Sequence, residues 1–173
     1  MRDSKQSEEK HLKVGDAYSY SLTVTNPESE VEVHTGVYTI ATQHRENRDS
    51  KSYWKITPDE EKRCFEVNYE WFWRGEEGSE EYPLQFMGIL VENGELKLLG
   101  LNIDEDEVRV ARFLYDTEGD SKLRTVWHGF PCCYWLNDQD IPHSHYLNKW
   151  AAMNIITESD KKKIIRGRRC RKL

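Results

Sequence analysis

The chain has no run of about 18 apolar residues, so no segment is long enough to cross a bilayer as a helix. Met1 to Lys10 is polar throughout and lacks the apolar stretch of a secretory leader, so residues 1–10 are expected to be a disordered lead-in. The four cysteines, Cys64, Cys132, Cys133 and Cys170, have no framework spacing. Without an export signal they are expected as reduced thiols in an intracellular, cytoplasmic protein. A phosphate loop, a dinucleotide fingerprint and a hydrolase elbow are all missing, which removes the common nucleotide-dependent and serine-hydrolase chemistries. No catalytic residue is assigned on this basis and no cofactor is expected.

Rings and charge are what the chain does have. Aromatics make up 12% of its residues and include six Trp, so a core or a cleft must accommodate large rings. Cys64 to Trp73 concentrates them, with Phe65, Val67, Tyr69, Trp71 and Trp73 on alternate positions. Period-two spacing puts all five on one face of an extended strand, and the expectation is a long, half-buried strand that organises the rest.

The flanking segments fit a β pattern. Tyr18, Tyr20, Leu22 and Val24 alternate in a first strand, and Val31, Val33, Val37 and Thr39 continue in a second, with Gly36 as a possible bulge. A short strand is expected at Tyr53 to Ile56, with Thr57-Pro58-Asp59-Glu60 as a turn after it. Leu84 to Val91 is nearly continuously apolar, as in a strand covered on both faces. Asn93-Gly94 is a strong type I′ hairpin signal. Val108 to Tyr115 and Leu123 to Trp127 complete the set. The fold class expected over residues 11–140 is mainly β: an antiparallel meander of about eight strands closing into a barrel or a strongly bent sheet, with a sandwich as runner-up.

From Ile141 the period becomes helical, with Tyr146, Leu147, Trp150, Ala151 and Ile155 on one stripe. Thr157-Glu158-Ser159-Asp160 resembles a capping box for a second short helix, docked by Ile164 and Ile165 and ended by Gly167. Residues 141–173 are thus expected as a helical extension packed on the same domain. Arg168 to Leu173 have no apparent reason to be ordered without a partner.

Two families share fragments of this pattern. The meander resembles the calycin barrels, although it lacks the Gly-x-Trp near the first strand of lipocalins. The run Glu66 to Glu77 is similar to a strand of chromatin-binding BAH domains, but without that family's proline after the arginine. Neither transfers a residue role.

Three groups of side chains could bind something. Trp54, Tyr69, Trp71, Trp73, Trp127 and Trp135 could line a pocket for a small or cationic ligand, since ring faces attract flat and cationic groups. His128, Cys132, Cys133, His143 and His145 are metal-capable and would suit zinc by type, though adjacent cysteines and a His-x-His are not the usual paired knuckles. The same thiols beside His128 or His143 could form a nucleophile and base. Finally, residues 157–173 hold eight Lys or Arg against Glu158 and Asp160, a net +6 beside −12 for the remainder. Lys161, Lys162, Arg168 and Arg169 are the candidate nucleic-acid contacts there. The expected function is a non-enzymatic binding module for a small-molecule ligand. The alternative is a regulatory, inhibitor or adaptor protein acting by surface contact on a protein partner or on nucleic acid. No membrane association is expected.

Overall fold

Thr57-Pro58-Asp59-Glu60 opens a helix, which overturns the organising strand. In the computed structural model, which describes residues 17–25, 31–45, 51–74, 85–121 and 124–173, Pro58–Arg74 is a single α-helix, α1. The Thr57 hydroxyl accepts the Glu60 N–H at 3.2 Å, and the Glu60 carboxylate accepts the Thr57 N–H at 2.7 Å. This is a capping box, with proline at the first helical position where its missing N–H costs nothing. The buried residues of α1 are Glu61, Cys64, Phe65, Asn68 and Tyr69, with Phe72 packed beside them. They recur every three or four residues, as one helical face requires. Two of them are polar, and a count of apolar residues alone passes over them. Val67 and Trp71 fall on the flanks of the helix, where they are half-buried. The fragment resembling a BAH strand is therefore helical through Arg74.

The strands in chain order are β1 (Ala17–Thr25), β2 (Val31–Thr39), β3 (Tyr53–Trp54), β4 (Gln85–Gly88), β5 (Val91–Glu92), β6 (Glu95–Leu96), β7 (Gly100–Leu101), β8 (Glu107–Val108), β9 (Ala111–Ser121) and β10 (Arg124–Pro131). They do not form a closed barrel. A five-stranded sheet runs β1-β2-β10-β9-β4, a second sheet β3-β7-β8, and β5-β6 is a separate hairpin. The large sheet is mixed, because β10 lies parallel to β2, with Val126 opposite Val37. A purely antiparallel meander misses this crossover. The fold is mixed α and β.

One face of the large sheet packs on α1. Tyr38, Phe86, Phe113 and Trp127 meet Phe65, Tyr69 and Phe72 there, with Tyr38 stacked on Phe65 at 4.6 Å and Phe86 edge-on to Trp127 at 4.9 Å. Burying each such ring stabilises by roughly 1.5–3 kcal/mol. Glycine lets the helix come close: a Cβ on Gly36 would sit 2.9 Å from the Phe65 and Tyr69 rings. Gly36 pairs in register with Tyr20, so it marks close approach and not a bulge.

Buried polar groups pin α1 in place. Glu61 is fully buried, accepts the Tyr38 hydroxyl at 2.6 Å and pairs with Arg45. Asn68 donates to the carbonyls of Cys64 at 2.7 Å and Ile89 at 2.9 Å, tying the helix to the chain after β4.

On β4 successive side chains alternate, so Phe86 joins the α1 core while Met87 faces the other way. Met87, Ile89 and Val110 are covered by the C-terminal helices α2 (Ser144–Ala152) and α3 (Glu158–Ile165) through Leu147, Trp150 and Ile164, with Ile156 from the connection between them. The β4–β9 edge is thus a layer between helices, as the apolar run at Leu84 to Val91 implies. The Asn93-Gly94 hairpin also forms as expected, with φ of 52° and 80°.

The helix α3 obeys its sequence signals closely. Thr157 and Asp160 make the capping box, and Gly167 at φ 63° ends the helix. The Gly167 N–H reaches the Ile164 carbonyl at 2.8 Å and the Arg168 N–H the Lys163 carbonyl at 2.9 Å, a Schellman closure. Ile164 docks, whereas Ile165 is half exposed. Residues 168–173 correct the expectation of a loose end. Cys170 donates its N–H to the Tyr134 hydroxyl at 2.7 Å, and both Cys170 and Leu173 are buried in the second core.

Candidate anion-binding cleft

The anchoring of Cys170 and Leu173 fixes what lies between and beside them. Arg169 and Arg171 are exposed while Cys170 and Leu173 point inward. Together with Glu107 and Arg109 these residues line an open cleft of about 450 Å³. Arg109 stands immediately after β8, so the second sheet supplies one wall and the C-terminal turn the other. Three guanidinium groups stand here with two carboxylates, Glu107 in the lining and Asp106 paired to Arg169, and the guanidinium fork is the side-chain group best matched to an anion.

Two of the three cleft arginines have a structural support. Arg169 lies over the Trp135 ring, 4.9 Å from its centroid, and its Nη1 sits 2.9 Å from Asp106 Oδ1. Arg109 Nη2 lies 2.6 Å from Glu107 Oε2. Asp106 is aimed by the loop that carries it. Buried Asn102 accepts the N–H groups of Asp104 at 2.9 Å and Asp106 at 2.8 Å, and its Nδ2 donates to Asp106 Oδ2 at 3.3 Å. Glu105 takes a left-handed conformation, φ 62°, to close this turn. Arg171 is on the same rim, with no acidic partner among the described residues.

Of the expected nucleic-acid contacts, only Arg169 lines the cleft. Lys162 and Arg168 are exposed on and just beyond α3. Lys161 is half-buried and pairs with Glu158 at 3.2 Å. Arg109 and the Asn102–Glu107 loop lie outside the expected contacts, and Arg171 falls within the expected basic segment without being among its four named candidates. The signal available is an asparagine two residues before an acidic run, which is Asx-turn chemistry.

The expected aromatic set divides among several places. Trp54, Tyr69 and Trp127 are core residues. Trp54 Nε1 donates to the Gly129 carbonyl at 3.3 Å, and Trp127 Nε1 to the Thr125 hydroxyl at 2.6 Å. Trp71 carries the Lys149 ammonium 3.7 Å above its ring, and burial brings that lysine down to about 8. Trp135 packs against the second core and supports Arg169 from beside the cleft without lining it. Trp73 lies in the last turn of α1, with its side chain outside the described ones.

The metal-capable residues also separate. His128 Nδ1 lies 3.0 and 3.1 Å from the Asp116 carboxylate oxygens, on the sheet face opposite α1. Cys132 is buried, and that burial holds its thiol well above the usual range. Cys133 Sγ takes a hydrogen bond from Asn102 Nδ2 at 3.5 Å and its thiol is also raised by burial, which makes neither cysteine an activated nucleophile. His143 and His145 stack on each other at the start of α2, 6.0 Å apart. Among the described residues no group of three or more His, Cys, Asp or Glu is placed to hold a metal ion. No described helix is long and apolar enough to cross a membrane.

Comparisons with protein-family models, with curated proteins and with solved structures found no match to this chain.

Proposed function

We propose that this chain is a binding module that engages nucleic acid through phosphate contacts at its C-terminal basic face. The observation that carries this reading is the cleft lined by Arg109, Arg169 and Arg171 beside a segment of net charge +6. Guanidinium groups held on a fixed backbone recognise phosphate in a bidentate way without the cost of ordering a loose tail. Lys162, Lys163, Arg166 and Arg168 are placed along and after α3 and add electrostatic attraction that reads no sequence. The division of the aromatic set between core and surface supports this surface reading over a single aromatic-lined pocket.

Deleting the tail is a poor test, because Ile164, Cys170 and Leu173 belong to the core. Neutralising exposed charge keeps the fold. The fourfold variant K162Q/K163Q/R168Q/R171Q and the intact chain are titrated with labelled single-stranded DNA and RNA across a salt series. The intact chain is expected to bind with affinity that falls steeply with salt, by a slope of about −0.7 for each phosphate contacted on a single strand. The variant should lose at least about tenfold in affinity and show a shallower slope. No binding by the intact chain, or equal binding by both forms, rejects the proposal.

A further inference from the structure

The proposed cleft is partly filled by the protein's own carboxylates, and their arrangement bears on how it would be used. Asp106 and Glu107 are adjacent, and each reaches one cleft arginine, at 2.9 Å to Arg169 and 2.6 Å to Arg109. We infer that the Asn102–Glu107 loop is an internal competitor for the arginine cleft, and that a nucleic-acid phosphate binds by taking Arg169 and Arg109 from Asp106 and Glu107. This rests on the nucleic-acid reading of the C-terminal basic face.

Three observations separate this from chance surface pairing. First, the loop is wired from beneath: buried Asn102 receives two backbone N–H groups and hydrogen-bonds the Asp106 oxygen that does not face Arg169. Asp106 is thus divided between a fixed support and the arginine. Second, Arg169 is held from a second direction by the Trp135 ring, so it stays positioned when its carboxylate partner is displaced. Third, both ion pairs are at least partly open to water, Arg169 being 49% exposed and Glu107 55%. Exposed pairs contribute only about 0–1 kcal/mol each, so a phosphate of higher charge can displace them.

The competition lowers apparent affinity by the fraction of molecules whose cleft is free. Two weak pairs, together with the repulsion of two carboxylates against an incoming phosphate, correspond to roughly three- to thirtyfold. In such a site a small anion of single charge gains little over the carboxylates already in place. Only a ligand that offers several phosphates recovers the lost contacts.

The test compares single-stranded DNA binding by the intact chain, Asp106→Asn, Glu107→Gln and their double variant, with Asp104→Asn as control. Asp104 is exposed in the same loop and its loss changes net charge equally, but the described structure gives its carboxylate no ion pair with a cleft arginine. The double variant should bind about three- to thirtyfold tighter at low salt, each single variant less, and the control less than about twofold tighter. In an Arg169→Gln background Asp106→Asn should gain no more than the Asp104→Asn control, since only the charge and not the ion pair is then removed. Thermal melts establish that each variant is folded before titration, and Glu107→Gln alone carries the test if Asp106→Asn unfolds the loop. Equal gains from Asp104→Asn and Asp106→Asn overturn the inference, since net charge then explains everything. An intact chain that binds DNA through its arginines, with no gain in the double variant, also overturns it while leaving the nucleic-acid reading standing. No binding by any form removes both.

Discussion

Helices α1 and α3 both start at a threonine whose hydroxyl accepts an N–H three residues on, and whose backbone N–H is accepted by the carboxylate at that position. The signal in the sequence is equivalent, Thr57-x-x-Glu60 and Thr157-x-x-Asp160. The residues beyond each cap are not. After Thr157 come Ile164 and Ile165 among charged residues, and no strand pattern competes. After Thr57 come aromatic residues at alternate positions, and period two hides period 3.6. The cap is the better witness. A capping box with proline behind the threonine states where a helix begins, whereas alternation of large rings over ten residues occurs on a helix whenever its flanks carry rings as well as its buried face.

The largest expected effect tests that difference directly. A strand puts Phe65 and Val67 on the same buried face, so truncating each would cost similar amounts per atom removed. The helix separates them. Phe65→Ala is expected to destabilise by about 3–5 kcal/mol, because the ring is fully buried among Tyr38, Phe86 and Phe113. Val67→Ala, on a half-buried flank, should cost about 1 kcal/mol or less. Denaturant unfolding of both variants decides it, and comparable large losses would restore the strand.

A second effect of similar size concerns a polar residue on the buried face of α1. Removing Glu61 by substitution to alanine leaves the Arg45 guanidinium and the Tyr38 hydroxyl without their shared acceptor. Breaking a buried pair from one side costs about 3–5 kcal/mol. Burial pushes the Glu61 carboxyl up, against the pull of Tyr38 and Arg45, so the group is held at some expense. Glu61→Gln keeps an acceptor for Tyr38 and should lose distinctly less than Glu61→Ala, as read by urea midpoints at constant slope. Equal losses would show that charge, and not the shared acceptor, is what matters there.

The two caps offer a more even comparison. Thr57→Ala and Thr157→Ala should each cost about 1 kcal/mol. A large loss for one and none for the other would mean that the two boxes are not equivalent in solution.

These contrasts also explain what can be read from the chain. Local devices with their own backbone requirement are legible: the Asn93-Gly94 hairpin, the α3 cap, the Gly167 stop and the doubly covered strand at Gln85 to Gly88. The parallel β2–β10 pairing is not, because it joins residues about ninety apart in the chain and leaves no local trace. The cleft is half legible. The basic segment stands out by charge, but the order of Arg169 and Arg171 depends on Cys170 and Leu173 finding Tyr134 and a core already formed by other elements. Asp106 and Glu107 read as a solvated turn, since nothing local shows which arginine a carboxylate will meet.

The smallest effect lies in pH and again divides the two caps. The ion pair with Lys97, with help from the Thr57 backbone, holds the Glu60 carboxyl down to about 2 in the folded chain. Asp160 is also lowered, chiefly by the Thr157 N–H, with a longer contact to Lys172 at 3.8 Å. A carboxylate that releases its proton more readily when folded contributes stability that is complete above its unfolded value and is lost as pH falls through its folded one. For Glu60 the window runs from about 4.5 down to about 2. Glu60→Gln retains a side-chain oxygen for the cap but cannot ionise. Stability at pH 7 should therefore drop, and the further decline between pH 5 and pH 2 should be shallower than in the intact chain. Asp160→Asn should flatten the same limb less, since its carboxylate leans on a backbone dipole and has no cation within 3 Å among the described residues. Urea unfolding at stepped pH provides the comparison. Acid limbs of identical slope in the intact chain and Glu60→Gln would mean that Lys97 does not hold Glu60 in solution, and α1 would then begin on its cap alone.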